Sequence, residues 1–271
     1  MTERTTRIEK PRTPTPRGAS RTRLKAPPLL SSDCALFLDI DGTLLDLAST
    51  PDRVVVDDEI LAELDSLARA LQGAVALVTG RAIRDADKLF HGLRFPIAGQ
   101  HGFERRAADG SLHQYAPQSA SLLQLRTELT RLAARHPGLI LEDKGATLAL
   151  HYRLVPRLAA HVHRIVRAEI ARLAAEGSNL SLQRGKRIVE ILPDGMDKGT
   201  AILEYMKEPP FRGRLPVFIG DDVTDELGFA AVERLGGWAI KVGAGPTRAR
   251  YRLPHVAAVR RWLSGVPLQS R

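Results

Sequence analysis

Ala35-Leu36-Phe37-Leu38-Asp39-Ile40-Asp41-Gly42-Thr43 is apolar as far as Leu38 and then sets two carboxylates, two residues apart, at its end. A continuous apolar run reads as a β-strand covered on both faces, the kind found in parallel sheets between layers of helices. Carboxylates are costly in such a place unless something pairs or coordinates them. Because side chains alternate along a strand, Asp39 and Asp41 lean the same way, and Gly42 lets the chain turn close to whatever they hold. That arrangement suits a hard divalent cation and a phosphate, with one carboxylate free to attack phosphorus and the other to move protons. An ordinary Asp-Gly turn at a strand end is the plainer alternative.

The flanking sequence continues the parallel-sheet pattern. Ile60, Leu61, Leu64, Leu67, Ala68 and Leu71 recur at helical spacing, and Ala74 to Thr79 form a second apolar strand. Ala82 to Phe90 reads as a helix and Pro96 to Gly99 as a short strand. The same alternation resumes late, with a helix opening near Asp197, a strand Leu215 to Ile219, a helix Asp225 to Leu235 and a strand Trp238 to Val242.

Between these halves the pattern changes. Asp109-Gly110 marks a hairpin turn, two amphipathic helices are predicted over about 119–135 and 157–175, and strands are predicted over 139–142, 147–152, 180–182 and 188–192. Two helices on a small antiparallel sheet, inserted into the first unit, are positioned to close over a strand-end site. The expected organisation is a basic tail over 1–30, a core over 31–106 and 195–271, and a cap domain over 107–194. The fold class expected is α/β: a doubly wound parallel sheet with an inserted α+β cap.

The chain has 271 residues, is 44% hydrophobic and carries a formal charge of +9. Residues 1–30 hold eight Lys or Arg against Glu3 and Glu9, so 8 − 2 = +6 lies in this segment, which reads as a disordered, solvated tail. No aromatics interleave with its arginines, which argues against nucleic acid as a partner. No window approaches a membrane span, no secretory signal is evident, and the single Cys34 forms no internal disulfide, so a cytoplasmic setting is expected.

Polar clusters recur where core elements end: Asp39 to Thr43, Thr79-Gly80-Arg81, Lys198 at a helix start, and Gly220-Asp221-Asp222-Val223-Thr224-Asp225. In an open parallel sheet ligands bind at the carboxyl ends of strands. Each cluster alone has a local explanation as a cap, a turn or a solvated lysine. In this order, however, they resemble the motifs of the haloacid dehalogenase-type phosphatases. Gly99-Gln100-His101-Gly102, Glu142-Asp143-Lys144-Gly145, Gly185 to Glu190, Gly195 to Gly199 and Gly220 to Glu226 are more specific, and together are similar to the trehalose-6-phosphate phosphatase family.

The resemblance implies that Asp39 is the nucleophile and Asp41 the acid and base, with Thr79 and Lys198 contacting the phosphoryl group. It implies Mg²⁺ held by Asp39, Asp221 and the Asp41 backbone carbonyl, with Asp222 and Asp225 either binding metal or orienting Lys198. Thr43, Gly80, Arg81, Gln100, His101 and Gly102 are expected around the substrate, Gly102 also as a hinge. Glu142, Lys144, Arg153, Lys186 and Glu190 are expected to meet the hydroxyls of a distal sugar. The substrate implied is trehalose 6-phosphate, handled by a monomer and supplied by a trehalose-phosphate synthase on a separate chain. Another capped sugar phosphatase, acting on sucrose phosphate or mannosyl-phosphoglycerate, and a non-catalytic sugar-phosphate sensor remain as alternatives.

Overall fold

A computed structural model describes residues 25–47, 54–115, 120–185 and 187–265. Its core is an eight-stranded sheet. The decisive strand, β1 (Cys34–Leu38), is buried throughout and pairs in parallel with β2 (Val75–Val78) on one side. On the other side it pairs in parallel with a strand from the far end of the chain, Leu215–Gly220.

From β2 the sheet extends through β3 (Ile97–Gly99), and then antiparallel through β4 (Glu104–Arg106) and β5 (Leu112–Gln114). The hairpin predicted at Asp109-Gly110 therefore lengthens the core sheet, and the boundary drawn at 107 falls inside that hairpin. Its three-residue strands carry little periodicity to reveal them.

Helix α1 (Asp58–Ala70) opens on Asp57, whose carboxylate accepts from Ile60 N at 2.8 Å, and buries Ile60, Leu64 and Leu67 at the predicted spacing. Helix α2 (Ile83–Leu89) follows β2 and buries Ile83 and Ala86.

Residues 120–193 form a second unit with its own core of Leu122, Leu125, Leu129, Val162, Val166, Val189 and Ile191 among others. Helices α3 (Ala120–Arg135) and α4 (Ala159–Ala175) cover an antiparallel sheet of β6 (Ile140–Asp143), β7 (Leu148–His151), β8 (Leu180–Gly185) and β9 (Ile188–Pro193), in the order β6-β7-β9-β8.

The chain then returns to the core through α5 (Lys198–Tyr205), β10 (Leu215–Gly220), α6 (Glu226–Arg234), β11 (Trp238–Val242), β12 (Tyr251–Leu253) and α7 (Val256–Leu263). Strands β1 to β3 run to one side of the sheet and β10 to β12 to the other, so the chain reverses its winding at β1 and β10. That crevice is where a doubly wound sheet binds its ligand.

The expected tail needs one correction. Lys25 bridges Tyr251, Trp262 Nε1 donates to the Pro28 carbonyl at 3.0 Å, and Leu30 is buried. Residues 25–30 thus pack on the core, with Leu30 supplying apolar surface that the preceding basic run lacks. The part of the predicted tail before Lys25 lies outside the described residues. Among the described residues no helix is long and apolar enough to cross a membrane.

Candidate active site

Asp39 follows β1 directly, and its backbone N–H still donates to Ile219 O of β10 at 3.0 Å. Its carboxylate is therefore fixed at the seam of the sheet. Lys198 opens α5, with Asp197 capping the helix by accepting from Thr200 N at 2.8 Å. Lys198 Nζ donates to Asp39 Oδ1 at 2.8 Å and to Asp225 Oδ1 at 2.6 Å, all three side chains being buried. Burial, with Asp225 and Asp221 alongside, pushes Asp39 well above the ordinary carboxylate range, while Lys198 pulls the other way. Burial would lower Lys198, but Asp225 and Asp39 outweigh it and keep the ammonium charged.

Asp225 has a defined job. Its other oxygen accepts from Asp221 N and Asp222 N, each at 2.8 Å, and a Cβ built on Gly220 would meet its carboxyl carbon at 2.3 Å. Only glycine at 220 leaves room for a carboxylate that both shapes the loop after β10 and aims Lys198. Asp222 caps the turn that follows, accepting from Val223 N at 2.8 Å.

Asp39, Asp221 and Asp225 place one oxygen each within 4.8 Å of one another, all buried. A set of buried oxygens is the donor type that Mg²⁺ takes. Gly42, at φ +83°, brings its backbone so close that an added Cβ would sit 2.2 Å from Asp221 Oδ2. A hard cation between Asp39 and Asp221 would offset the repulsion that raises Asp39.

Asp41 and Arg81 face each other across the pocket floor. Arg81 Nε donates to Asp41 Oδ2 and Nη2 to Oδ1, both at 2.7 Å, a fork on a fork. Thr79, buried at the end of β2, accepts from Arg81 N at 3.1 Å. Asp39, Asp41, Thr79, Gly80, Arg81, Lys198, Asp221 and Asp222 all line one cavity of about 800 Å³, within the range of small-molecule sites.

The second unit forms the cavity's opposite wall with Glu142, Lys144, His151, Arg153 and Glu190. It is tied to the core by direct contacts. Lys144 Nζ donates to Gly80 O at 2.7 Å and to Glu190 at 2.9 Å, and Glu190 holds His101 Nε2 at 2.8 Å. Thr147 Oγ1 donates to Gln100 Oε1 at 3.0 Å. Burial would raise Glu190, but His101 and Lys144 outweigh it and hold its carboxylate well below its ordinary 4.5. A depressed carboxylate adds stability above its unfolded value and loses it as the pH falls through the folded one. The melting-temperature advantage of wild type over Glu190→Gln is therefore expected to shrink as the pH is taken below about 4.5, measured by thermal melts.

Not every predicted site residue reaches the cavity. Thr43 is buried beneath it and donates to Asp39 Oδ2 at 3.2 Å. Gln100, fully buried, spends its carboxamide on Glu104 and Thr147, and Gly102 lies against Ala201 and the Asp197 carbonyl. The substrate contacts expected of these three are corrected to supporting roles. The turn at Gln100–Gly102 carries three consecutive positive φ angles, 48°, 60° and 109°, which carry the chain from β3 into the hairpin. Lys186 lies outside the described residues. Two residues were missed. His151 contacts Glu142 at 2.8 Å, and buried Lys241 of β11 donates to the Asp221 carbonyl. Each interrupts an otherwise apolar strand, which is the signal that finds them.

An open sheet whose strand ends gather a buried carboxylate, a paired buried lysine and an acidic loop, with an inserted α+β unit forming the opposite wall, is the arrangement expected from the resemblance to the haloacid dehalogenase-type phosphatases. The trehalose-phosphatase family profile matches residues 37–257, and the chain belongs to that family. It is 45% identical over 237 residues to the trehalose-6-phosphate phosphatase of Escherichia coli (strain K12), covering 87% of each chain. It is 48% identical over 209 residues to a probable trehalose-phosphate phosphatase of Sinorhizobium fredii, covering 77% of each. In fold it is similar to the C-terminal domain of Candida albicans trehalose-6-phosphate phosphatase, with TM-score 0.76, 19% identity, and coverage of 88% of this chain and 93% of that one.

Proposed function

We propose that the protein hydrolyses trehalose 6-phosphate to trehalose and inorganic phosphate through an aspartyl-phosphate on Asp39. The observation that carries this reading is the placement of Asp39, Asp41, Thr79, Lys198 and Asp221 in one cavity whose far wall is the cap's Glu142, Lys144, Arg153 and Glu190.

Lys198 holds one Asp39 oxygen, which leaves the other to approach phosphorus in line with the departing sugar oxygen. As the bond from Asp39 to phosphorus forms, the bond from phosphorus to O6 breaks, and Asp41 delivers a proton to O6. Water then gives a proton to Asp41 and attacks phosphorus as the bond from phosphorus to Asp39 breaks, which frees phosphate, restores the Asp39 carboxylate and returns Asp41 to its protonated form. Arg81 grips Asp41 in the state described. For Asp41 to carry a proton, the guanidinium has to pass to the arriving phosphate, for which its planar fork is well shaped. Thr79 and Lys198 offer donors where the transferring group spreads its negative charge. Mg²⁺ held by Asp39, Asp221 and the Asp41 carbonyl would supply the remaining positive charge at the phosphoryl oxygens. Asp225 aims Lys198, and the cap limits water that would compete with Asp39 for phosphorus in the first step.

The cap carries the choice of sugar, since the core groups recognise only phosphate and cation. Glu142, Lys144, Arg153, Lys186 and Glu190 are assigned to the distal glucose, and His101 to the junction beside it. The same reading takes the protein as a cytoplasmic monomer that receives its substrate from a trehalose-phosphate synthase and completes trehalose biosynthesis.

Phosphate release should be compared for trehalose 6-phosphate, glucose 6-phosphate, sucrose 6-phosphate and mannosyl-phosphoglycerate, with Mg²⁺ or with chelator. The expected result is a kcat/KM for trehalose 6-phosphate at least about 100-fold above the others, as several lost sugar hydrogen bonds imply, and abolition by chelator. Equal turnover of another substrate would leave the chemistry and overturn the sugar assignment.

A further inference from the structure

Glu142 and His151 sit on adjacent antiparallel strands, β6 and β7. The register sets Ile140 opposite His151 and Glu142 opposite Ala149, so all four share one face of the cap sheet. That face is the cavity wall, which Ile140, Glu142 and His151 line together.

The two polar pairs on this wall differ in what they have left to give. In the Lys144 and Glu190 pair each carboxylate oxygen already accepts one bond, from Lys144 or from His101, and the ammonium also holds the Gly80 carbonyl, so this pair has less left to give a sugar. The Glu142 and His151 pair is only half used. A carboxylate can only accept, so His151 Nε2 carries the proton and donates it to Glu142 Oε2 at 2.8 Å. This leaves Glu142 Oε1 without a recorded donor among the described residues. A neutral imidazole protonated at Nε2 has an acceptor at Nδ1, and that atom likewise finds no partner among the described residues. Each side chain is partly open to the cavity and keeps one acceptor, Glu142 on its second oxygen and His151 on the far edge of its ring. Burial would raise Glu142, but the His151 hydrogen bond and Lys144 outweigh it and hold its carboxylate below its ordinary range.

Resting on the assignment of a sugar phosphate to this cavity, we infer that His151 is a specificity-determining residue. It locks Glu142 in an acceptor geometry and, with its own Nδ1, offers a second acceptor to the hydroxyls of the pyranose ring remote from the phosphate. The ligand feature recognised is a polyhydroxylated ring that donates to both. The Ile140 side chain beside the pair offers apolar surface to the C–H face of the same ring.

The test uses steady-state kinetics on wild type, His151→Ala, His151→Gln, Glu142→Gln and the double variant His151→Ala with Glu142→Gln. Trehalose 6-phosphate is compared with p-nitrophenyl phosphate, which has no sugar ring. For His151→Ala, KM for trehalose 6-phosphate is expected to rise about tenfold or more, the scale of a lost hydrogen bond to a charged group. The change in kcat should be several-fold smaller, and the change with p-nitrophenyl phosphate smaller still. His151→Gln, whose amide can donate in place of Nε2, should recover part of the loss. The double variant should be no worse than the worse of the two single variants, because the two residues act as a unit. Equal losses on both substrates would make His151 a packing residue and overturn the inference, as would an unchanged KM. Failure of the underlying reading looks different: wild type itself would show no preference for trehalose 6-phosphate. The same variants are then run on whichever sugar phosphate wild type does prefer, and if it prefers none the inference falls as well.

Discussion

Asp39→Asn is expected to lose at least about 10⁴-fold in kcat on trehalose 6-phosphate, the scale seen when a nucleophile is removed, while remaining folded. The amide keeps the shape of the side chain and removes its nucleophilic oxygen. Stability should move in the opposite direction to activity. Burial, Asp225 and Asp221 raise Asp39 well above its ordinary 3.8. The folded state therefore binds a proton more tightly there than the unfolded chain, and metal-free wild type loses stability as the pH rises through that window. Asp39→Asn has no such group to ionise. Without metal it should melt at or above wild type near neutral pH, and with Mg²⁺ the order should reverse, since the cation gains affinity only from the ionised carboxylate. Differential scanning fluorimetry with Mg²⁺ and with chelator measures this. A variant that keeps its turnover would remove Asp39 from the nucleophile's place, and one that gains as much from Mg²⁺ as wild type would remove it from the metal site.

Lys198→Ala should lower both quantities. Its ammonium is shared between Asp39 at 2.8 Å and Asp225 at 2.6 Å. Truncation leaves two buried carboxylates without their common partner, a loss of about 3–5 kcal/mol by analogy with broken buried ion pairs. It also removes a preorganised positive charge from the phosphoryl group, which corresponds to about 10³-fold in kcat. The two effects separate if turnover is measured well below the variant's melting temperature. A variant that melts lower but keeps near-wild-type kcat would confine Lys198 to a structural role. Asp225→Asn should reproduce part of the kinetic loss through Lys198, because Asp225 contacts that ammonium and the loop but does not line the cavity.

Much of this site was legible in the residues because the core chemistry sits where local patterns are strongest. Asp39 stands out since a buried parallel strand excludes carboxylates, and the strand-end rule joins Asp39, Thr79 and Asp221 before any coordinates are seen. The second cap helix was visible through an apolar stripe at helical spacing, of which Val162, Val166 and Leu173 are buried. What escaped was pairing between distant positions. Lys144 meets Glu190 across 46 residues and His101 meets Glu190 across 89, and no local periodicity encodes which charges will cancel. Gln100 and Gly102 were placed at the substrate from their neighbourhood in sequence. The left-handed turn at 100–102 instead directs them to the Thr147 and Ala201 contacts. Strands of three residues, β5 and β12, are too short to show an alternation. The packing of residues 25–30 depends on a partner, Trp262, at the far end of the chain.

The central claim is that Asp39 becomes phosphorylated by trehalose 6-phosphate. The direct measurement is a rapid acid quench of enzyme and Mg²⁺ mixed with substrate labelled in its phosphate, followed by peptide mapping. The account predicts transient, hydroxylamine-labile label on the peptide containing Asp39, absent in Asp39→Asn and longer-lived in Asp41→Asn, where the proton acceptor for water is missing. Phosphate released without label ever reaching the protein, or label on a different residue, would contradict it.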